Sequence, residues 1–66
     1  MKLNSSAVKK AMLEKGLNVK ELAEKSNLAK ATISKIINNT SERQYKTIGS
    51  IAMALNVDVD SLIIKQ

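Results

Sequence analysis

The chain of 66 residues carries eleven basic against six acidic residues, a net charge of +5, and contains no cysteine and no histidine. This composition excludes a disulfide-stapled fold and a metal site built from cysteine and histidine. A hydrophobic share of 44% excludes disorder, and the longest apolar run, residues 51–55, is far shorter than the roughly 20 residues of a membrane span. We therefore expect one small cytoplasmic domain over residues 1–66, with no metal, cofactor or membrane partner.

Local capping residues mark the first two helices. The first is predicted to begin at Ser5 or Ser6, which are favoured N-cap residues, and to end at Gly16, a favoured residue just past a helix. The second is predicted to open with a capping box, in which Asn18 is the N-cap and Glu21 stands three residues later.

The third helix is predicted to run from about residue 29 to residue 38. It follows a turn at Ser26–Asn27, because asparagine tolerates the left-handed backbone conformation that a tight inter-helix turn requires. Ile33, Ile36 and Ile37 recur at helical spacing and should form its core side. A polar loop is expected directly after this helix.

Two further helices are predicted within residues 44–64. The fourth has apolar residues at helical spacing, namely Ile48, Ile51, Ala52 and Leu55. The fifth is short, capped by Asp58 or Asp60, with Leu62 facing inward. The alternating stretch at 56–60 contains aspartates that favour a turn over a strand, so the expected fold class is all-α, a compact domain of five helices.

Positive charge is concentrated in the first two-thirds of the chain, where residues 1–46 hold ten basic and four acidic residues. On the third helix, at about 100° per residue, one outward face is small, polar and basic and contains no acid. This face consists of Lys30, Ala31, Ser34, Lys35 and Asn38. Short side chains let the backbone approach a surface, as a helix in the major groove must. An ordinary solvated helix face is the alternative interpretation.

The stretch from Gly16 to Asn38 closely resembles the Cro/XRE family of phage repressors and bacterial regulators. The resemblance is carried by Glu21-Leu22-Ala23 and Thr32-Ile33-Ser34-Lys35-Ile36, and further on by Thr47-Ile48, Ile51-Ala52, Ala54-Leu55, Val57 and Leu62. It covers nearly the whole chain and implies a lambda-repressor-like domain with a helix-turn-helix at 18–38. The implied function is sequence-specific binding of double-stranded DNA by a transcriptional regulator, a repressor of phage or bacterial type.

The resemblance also implies which side chains touch DNA. The base-contacting positions would be Lys30, Ala31, Ser34 and Lys35. The phosphate-contacting positions would be Asn18, Val19, Lys20, Thr32, Asn38, Arg43 and Lys46. At the start of the second helix, backbone N–H groups and the helix dipole favour a phosphate.

Several positions depart from the family's pattern. Val19 stands where relatives often carry a phosphate-binding glutamine, Asn27 where the turn usually has glycine, and Ala29 where serine or threonine often caps the recognition helix. Met12 and Ile37 occupy the positions of an Arg–Glu pair in many relatives, so apolar side chains replace a buried ion pair. We expect the Met12 and Ile37 side chains to touch.

The family resemblance implies a homodimer on a pseudo-palindromic operator, with recognition helices about 34 Å apart. The dimer interface is expected at Val57, Val59, Ile63 and Ile64. Alternatively, Val57 and Leu62 complete the core, and Ile63 and Ile64 fray. A cytoplasmic, nucleoid-associated protein is expected.

Two other function classes are alternatives to a DNA-binding regulator. One is an antitoxin-like or antirepressor module that uses the same fold to bind a protein. The other is an enzyme, which the absence of histidine and cysteine and the scattered acids argue against.

Overall fold

The computed structural model describes residues 1–64 and is mostly helical. Its helices are α1 (Ser5–Lys15), α2 (Val19–Ser26), α3 (Lys30–Asn38) and α4 (Tyr45–Leu55). Its strands are β1 (Lys2–Leu3), β2 (Ser41–Glu42) and β3 (Ile63–Ile64), and a 3-10 turn spans Val59–Ser61. No helix within residues 1–64 is long and apolar enough to cross a membrane.

The predicted count of five helices is wrong. Beyond α4, the chain passes Asn56 in the left-handed conformation (φ 56°) and makes only the three-residue turn Val59–Ser61 before entering β3. So short a segment cannot offset the cost of nucleating an α-helix. Leu62 does face inward as predicted, with 1% of its surface exposed.

Helix α1 begins at Ser5, as predicted, but its N-cap is Asn4 rather than Ser5 or Ser6. The Oδ1 atom of Asn4 accepts hydrogen bonds from the backbone amides of Ser6 at 3.0 Å and Ala7 at 3.3 Å. Asparagine caps as well as serine does, and the extended backbone at Asn4 makes it the last residue before the helix. The predicted end is confirmed, because Gly16 adopts the left-handed conformation with φ 67°.

The predicted capping box of α2 is confirmed. The amide of Glu21 donates to Asn18 Oδ1 at 2.8 Å, and the amide of Asn18 donates to Glu21 Oε1 at 3.1 Å. The turn is also as predicted, since Asn27 has φ 59°. Ala29 precedes α3 without a side-chain hydrogen bond to its first turn, as expected of alanine at that position.

The helical class is as predicted, but a small three-stranded antiparallel sheet of two-residue strands was not predicted. The strand order is β2-β1-β3, and Lys2 pairs with both Glu42 and Ile64. Strands of two residues are too short to show an alternating pattern. The sheet joins the start of the chain to the segment after α3 and to the segment after α4.

The core is aliphatic, as the composition requires. The largest fully buried side chains are Leu3, Val8, Leu22, Ile33, Ile36, Ile48, Ile51, Leu55 and Leu62. Tyr45 is the single aromatic residue of the chain and is 74% exposed. Met12 is buried and Ile37 is half-buried against the core, so neither is fully exposed to solvent, and their mutual contact stays a prediction.

Gly49 lies inside α4, where glycine gives no conformational advantage. Its φ is not positive, and an added Cβ would meet no atom within 4 Å. Since alanine favours a helix over glycine by about 1 kcal/mol, Gly49→Ala should stabilise the domain by up to about that amount. Thermal unfolding should show a rise of roughly 4–8 °C in Tm.

Gly16→Ala is the matched control for this substitution. It also adds one methyl group in open space, but at a left-handed φ of 67°, so it should lower the Tm. A Tm that fell equally in both variants would show that α4 needs glycine at position 49 for a reason outside the described contacts.

Candidate nucleic-acid interface

Helix α3 presents two opposite faces. Its inner face packs Ile33 and Ile36 into the core, where they are 0% and 1% exposed. Its outer face is exposed and brings together the four predicted base-contacting residues, Lys30, Ala31, Ser34 and Lys35. Because helical periodicity orients both faces at once, burying the isoleucines presents this polar and basic face to solvent.

The angle between α2 and α3 is fixed by a satisfied turn. Asn27 supplies the left-handed residue, and the amide of Leu28 donates to the carbonyl of Ala23 at 3.0 Å. Ser26 is buried, and its hydroxyl donates to the carbonyl of Leu22 at 2.7 Å. The C-terminal turn of α2 therefore has its hydrogen bonds satisfied, and these bonds fix the direction in which the chain enters α3.

The start of α2 is the predicted phosphate site. The capping box uses Asn18 Oδ1, so the Asn18 side chain could bind a phosphate only through its Nδ2 group. Helix geometry leaves the amides of Val19 and Lys20 without an acceptor inside the helix. The Lys20 side chain is exposed and the Val19 side chain is half-buried. An anion at this end of α2 would therefore be bound by two amides and one lysine.

The other predicted phosphate residues differ in exposure. Asn38 is exposed, and its Nδ2 group lies 3.4 Å from Ser34 Oγ, whereas Thr32 is half-buried at the edge of the outer face. Lys46 is exposed in the first turn of α4, but Arg43 is half-buried. Among residues 1–64, the Nε atom of Arg43 is buried without a hydrogen-bond partner.

Comparison with known proteins decides the family. A family model described as helix-turn-helix matches residues 8–62. The chain belongs to the helix-turn-helix family. This confirms the Cro/XRE-type resemblance recognised in the residues of α2 and α3.

Three similar proteins each cover most of the chain. YopO, an SPbeta prophage-derived HTH-type transcriptional regulator of Bacillus subtilis (strain 168), is 34% identical over 59 residues, which are 89% of this chain and 84% of YopO. The restriction-modification controller protein C.Esp1396I is 39% identical, with a TM-score of 0.75 over 82% of this chain and 70% of that chain. The N-terminal DNA-binding domain of the biofilm regulator SinR from Bacillus subtilis is 28% identical, with a TM-score of 0.82 over 97% of this chain and 94% of that chain.

One charged residue within the helix-turn-helix was not predicted to belong to the site. Glu24 of α2 lines an open crevice of about 400 Å³ together with Lys20 and Lys30. The outer face of α3 has no acid of its own, but the Glu24 carboxylate lines the same crevice as Lys30, the first lysine of that face. The spacing of Lys20 and Glu24, four residues apart on one helix, was the signal that could have located it.

A second missed residue is Glu42 of β2. Its Oε2 atom lies 2.9 Å from the α-amino group of Met1. The hydrogen bond from this ammonium group and its charge lower the pKa of the Glu42 carboxyl. The ion pair therefore persists to lower pH than the ordinary pKa of a glutamate would allow, and it weakens as pH falls through the lowered pKa.

The predicted dimer residues do not form one exposed patch. Val57, Val59 and Ile63 are half-buried and pack against the core, whereas Ile64 is 39% exposed. Ile63 and Ile64 form β3, so the alternative expectation that they fray is wrong. Pairing with β1 supplies these residues with backbone partners.

Proposed function

We propose that this chain, a DNA-binding transcriptional regulator, acts as a repressor that places α3 in the major groove of a pseudo-palindromic operator. The helix-turn-helix family is one of DNA-binding regulators rather than of enzymes. The observation that carries the proposal is the exposed, acid-free outer face of α3, backed by two fully buried isoleucines.

The outer face of α3 has chemistry suited to base edges. Lys30 and Lys35 can donate hydrogen bonds to guanine O6 and N7, and Ser34 can donate or accept. The methyl group of Ala31 can pack on a thymine methyl group. An α-helix with its side chains is about 10–12 Å across, which fits the major groove at about 12 Å wide.

Phosphates on either side of the groove would fix the register of the protein. On one side are the amides of Val19 and Lys20 together with Asn18. On the other side are Thr32, Asn38, Arg43 and Lys46. Val19 has no side-chain donor, so its contact would be made by its backbone alone. Such contacts hold the protein in place without specifying sequence.

The protein would bind DNA as a homodimer of single-domain protomers, in the cytoplasm and on the nucleoid. One protomer measures 30 × 21 × 19 Å, so two side by side can place their recognition helices about 34 Å apart. The exposed Ile64 and the half-buried Val57, Val59 and Ile63 would contribute the apolar part of the interface. Occupancy of the operator would then depend on protein concentration.

Selection of duplexes from a random library tests this function. We expect a palindromic site whose half-site centres lie about 10 base pairs apart. On that site, affinity should fall by about 10³ or more between 50 and 200 mM salt, because several phosphate contacts release counterions. Failure to enrich any site, together with an affinity that salt does not change, would refute the proposal.

A second candidate function is supported by exposed apolar side chains. Leu13 is 83% exposed and Met53 is 84% exposed, and neither lies on the outer face of α3. These side chains would suit the antitoxin-like or antirepressor module, in which the same fold binds a protein. Weak, sequence-independent DNA affinity even at low salt would favour this candidate over the repressor.

A further inference from the structure

Six residues, 39–44, connect α3 to α4 and carry Arg43. The polar run at 38–41 predicted a loop here. Instead, residues 40–43 are hydrogen-bonded to the start of the chain. Ser41 and Glu42 pair with Leu3 and Lys2 as β2, and the amide of Arg43 donates to the carbonyl of Met1 at 3.1 Å.

Thr40 makes the first of these connections through its side chain. Its Oγ1 atom accepts a hydrogen bond from the amide of Ser5 at 3.1 Å, and the two hydroxyl oxygens are 3.2 Å apart. The Ser5 amide lies in the first turn of α1, where helix geometry provides no acceptor. Asn4 caps the next two amides, so Thr40 completes the cap of α1 from 35 positions further along the chain.

Strand β1, with which segment 39–44 pairs, is buried at Leu3. Leu3 is 1% exposed and lies between β2 and β3, so β1 is anchored in the core. Arg43, by contrast, has no hydrogen bond at its buried Nε atom within residues 1–64. The position of Arg43 is therefore set by the backbone of segment 39–44 rather than by a partner of its own side chain.

We propose that Thr40 is a positioning residue for DNA binding, which holds segment 39–44 against α1 and β1 so that Arg43 is presented to a phosphate. This inference rests on the proposed function and on the phosphate contact of Arg43. A segment that is already ordered loses little conformational entropy when DNA binds, so affinity is higher than for a mobile loop with the same arginine.

Thr40→Val tests this role, because valine keeps the shape of threonine and removes the hydroxyl group. We expect operator affinity to fall by about 3-fold to 10-fold through the ordering cost of the loop. The slope of log affinity against log salt should become shallower by up to about 1, as one phosphate contact weakens. Thr40→Ser keeps the hydroxyl group and should restore most of the affinity.

A double-mutant cycle with Arg43→Ala separates positioning from general stability. If Thr40 acts through Arg43, the Thr40→Val substitution should have little further effect in the Arg43→Ala background. Amide hydrogen exchange without DNA should be faster at residues 41–43 in Thr40→Val than in the unmodified protein. Thr47→Val, the same substitution in α4, serves as the control and should change neither loop exchange nor affinity.

Ser5→Ala offers a milder variant if Thr40→Val folds poorly. It keeps the backbone bond to Thr40 and removes the hydroxyl contact, so a smaller loss in the same direction is expected. Unchanged affinity in Thr40→Val, or effects of Thr40→Val and Arg43→Ala that add fully, would overturn the positioning role while leaving the repressor proposal intact. If the unmodified protein bound no duplex, both proposals would fall together.

Discussion

Replacement of Leu3 by alanine is expected to destabilise the protein by about 2–5 kcal/mol, as much as truncation of a core leucine in a helix. Leu3 is 1% exposed and belongs to β1, which holds both β2 and β3. A domain of this size has a total stability of roughly 3–10 kcal/mol, so the loss should leave a measurable unfolded population at 37 °C. Urea unfolding followed by circular dichroism would give the free energy of unfolding.

Leu13→Ala is a matched control for the Leu3 substitution. The same side chain is truncated, but Leu13 is 83% exposed on α1, so its loss should change stability by no more than about 0.5 kcal/mol. Equal urea midpoints for the two variants would show that β1 contributes nothing to the core and that the sheet is marginal in solution.

Lys35→Ala is expected to change which operator the protein prefers. Lys35 lies on the outer face of α3, and loss of a good base contact costs about 1–3 kcal/mol against the preferred base. Site selection repeated with this variant should therefore show relaxed preference at one position of each half-site. Affinity for the original site should fall by roughly 5-fold to 150-fold.

Lys46→Ala should behave differently, because Lys46 is assigned to a phosphate. All sites should weaken to a similar extent, and the salt slope should fall by about 1 without a change in base preference. Lys10→Ala provides the baseline, since Lys10 lines a groove of α1 beside Val57 and Leu62 rather than the outer face of α3. A change of base preference in Lys46→Ala, or a Lys35→Ala protein that behaves like Lys10→Ala, would contradict the assignment of these roles.

Most of the helical fold could be predicted because its signals are local. The Asn18–Glu21 capping box, the left-handed Gly16 and the left-handed Asn27 each involve residues within a few positions of one another. The outer face of α3 followed in the same way, because the spacing of Ile33 and Ile36 fixes the buried side and hence the exposed side. These features need no knowledge of the rest of the chain.

The unpredicted features depend on residues far apart in sequence. Strands of two residues carry no periodic signal, and the pairing of Lys2 with Glu42 depends on the tertiary fold. No local sequence pattern indicates the hydrogen bond from Ser5 to Thr40 either, because the two residues are 35 positions apart. Arg43 was predicted as a phosphate contact in this loop, but its partial burial, which follows from the sheet, was not predicted. The prediction of a fifth helix was wrong for a related reason. Few residues separate α4 from β3, and the pairing of β3 with β1 leaves room for only a 3-10 turn between them.

The central position of β1 in the sheet bears on the order in which the protein folds. Lys2 pairs with Glu42 and Ile64, which lie 40 and 62 positions further along the chain. Closing loops of this length costs more entropy than forming the contacts between α2 and α3, which follow each other directly. The helix-turn-helix should therefore be formed in the folding transition state, while the sheet is completed afterwards. The helix proposed to contact the bases would thus form before the loop that carries Arg43. In local unfolding of the native protein, that loop would detach first.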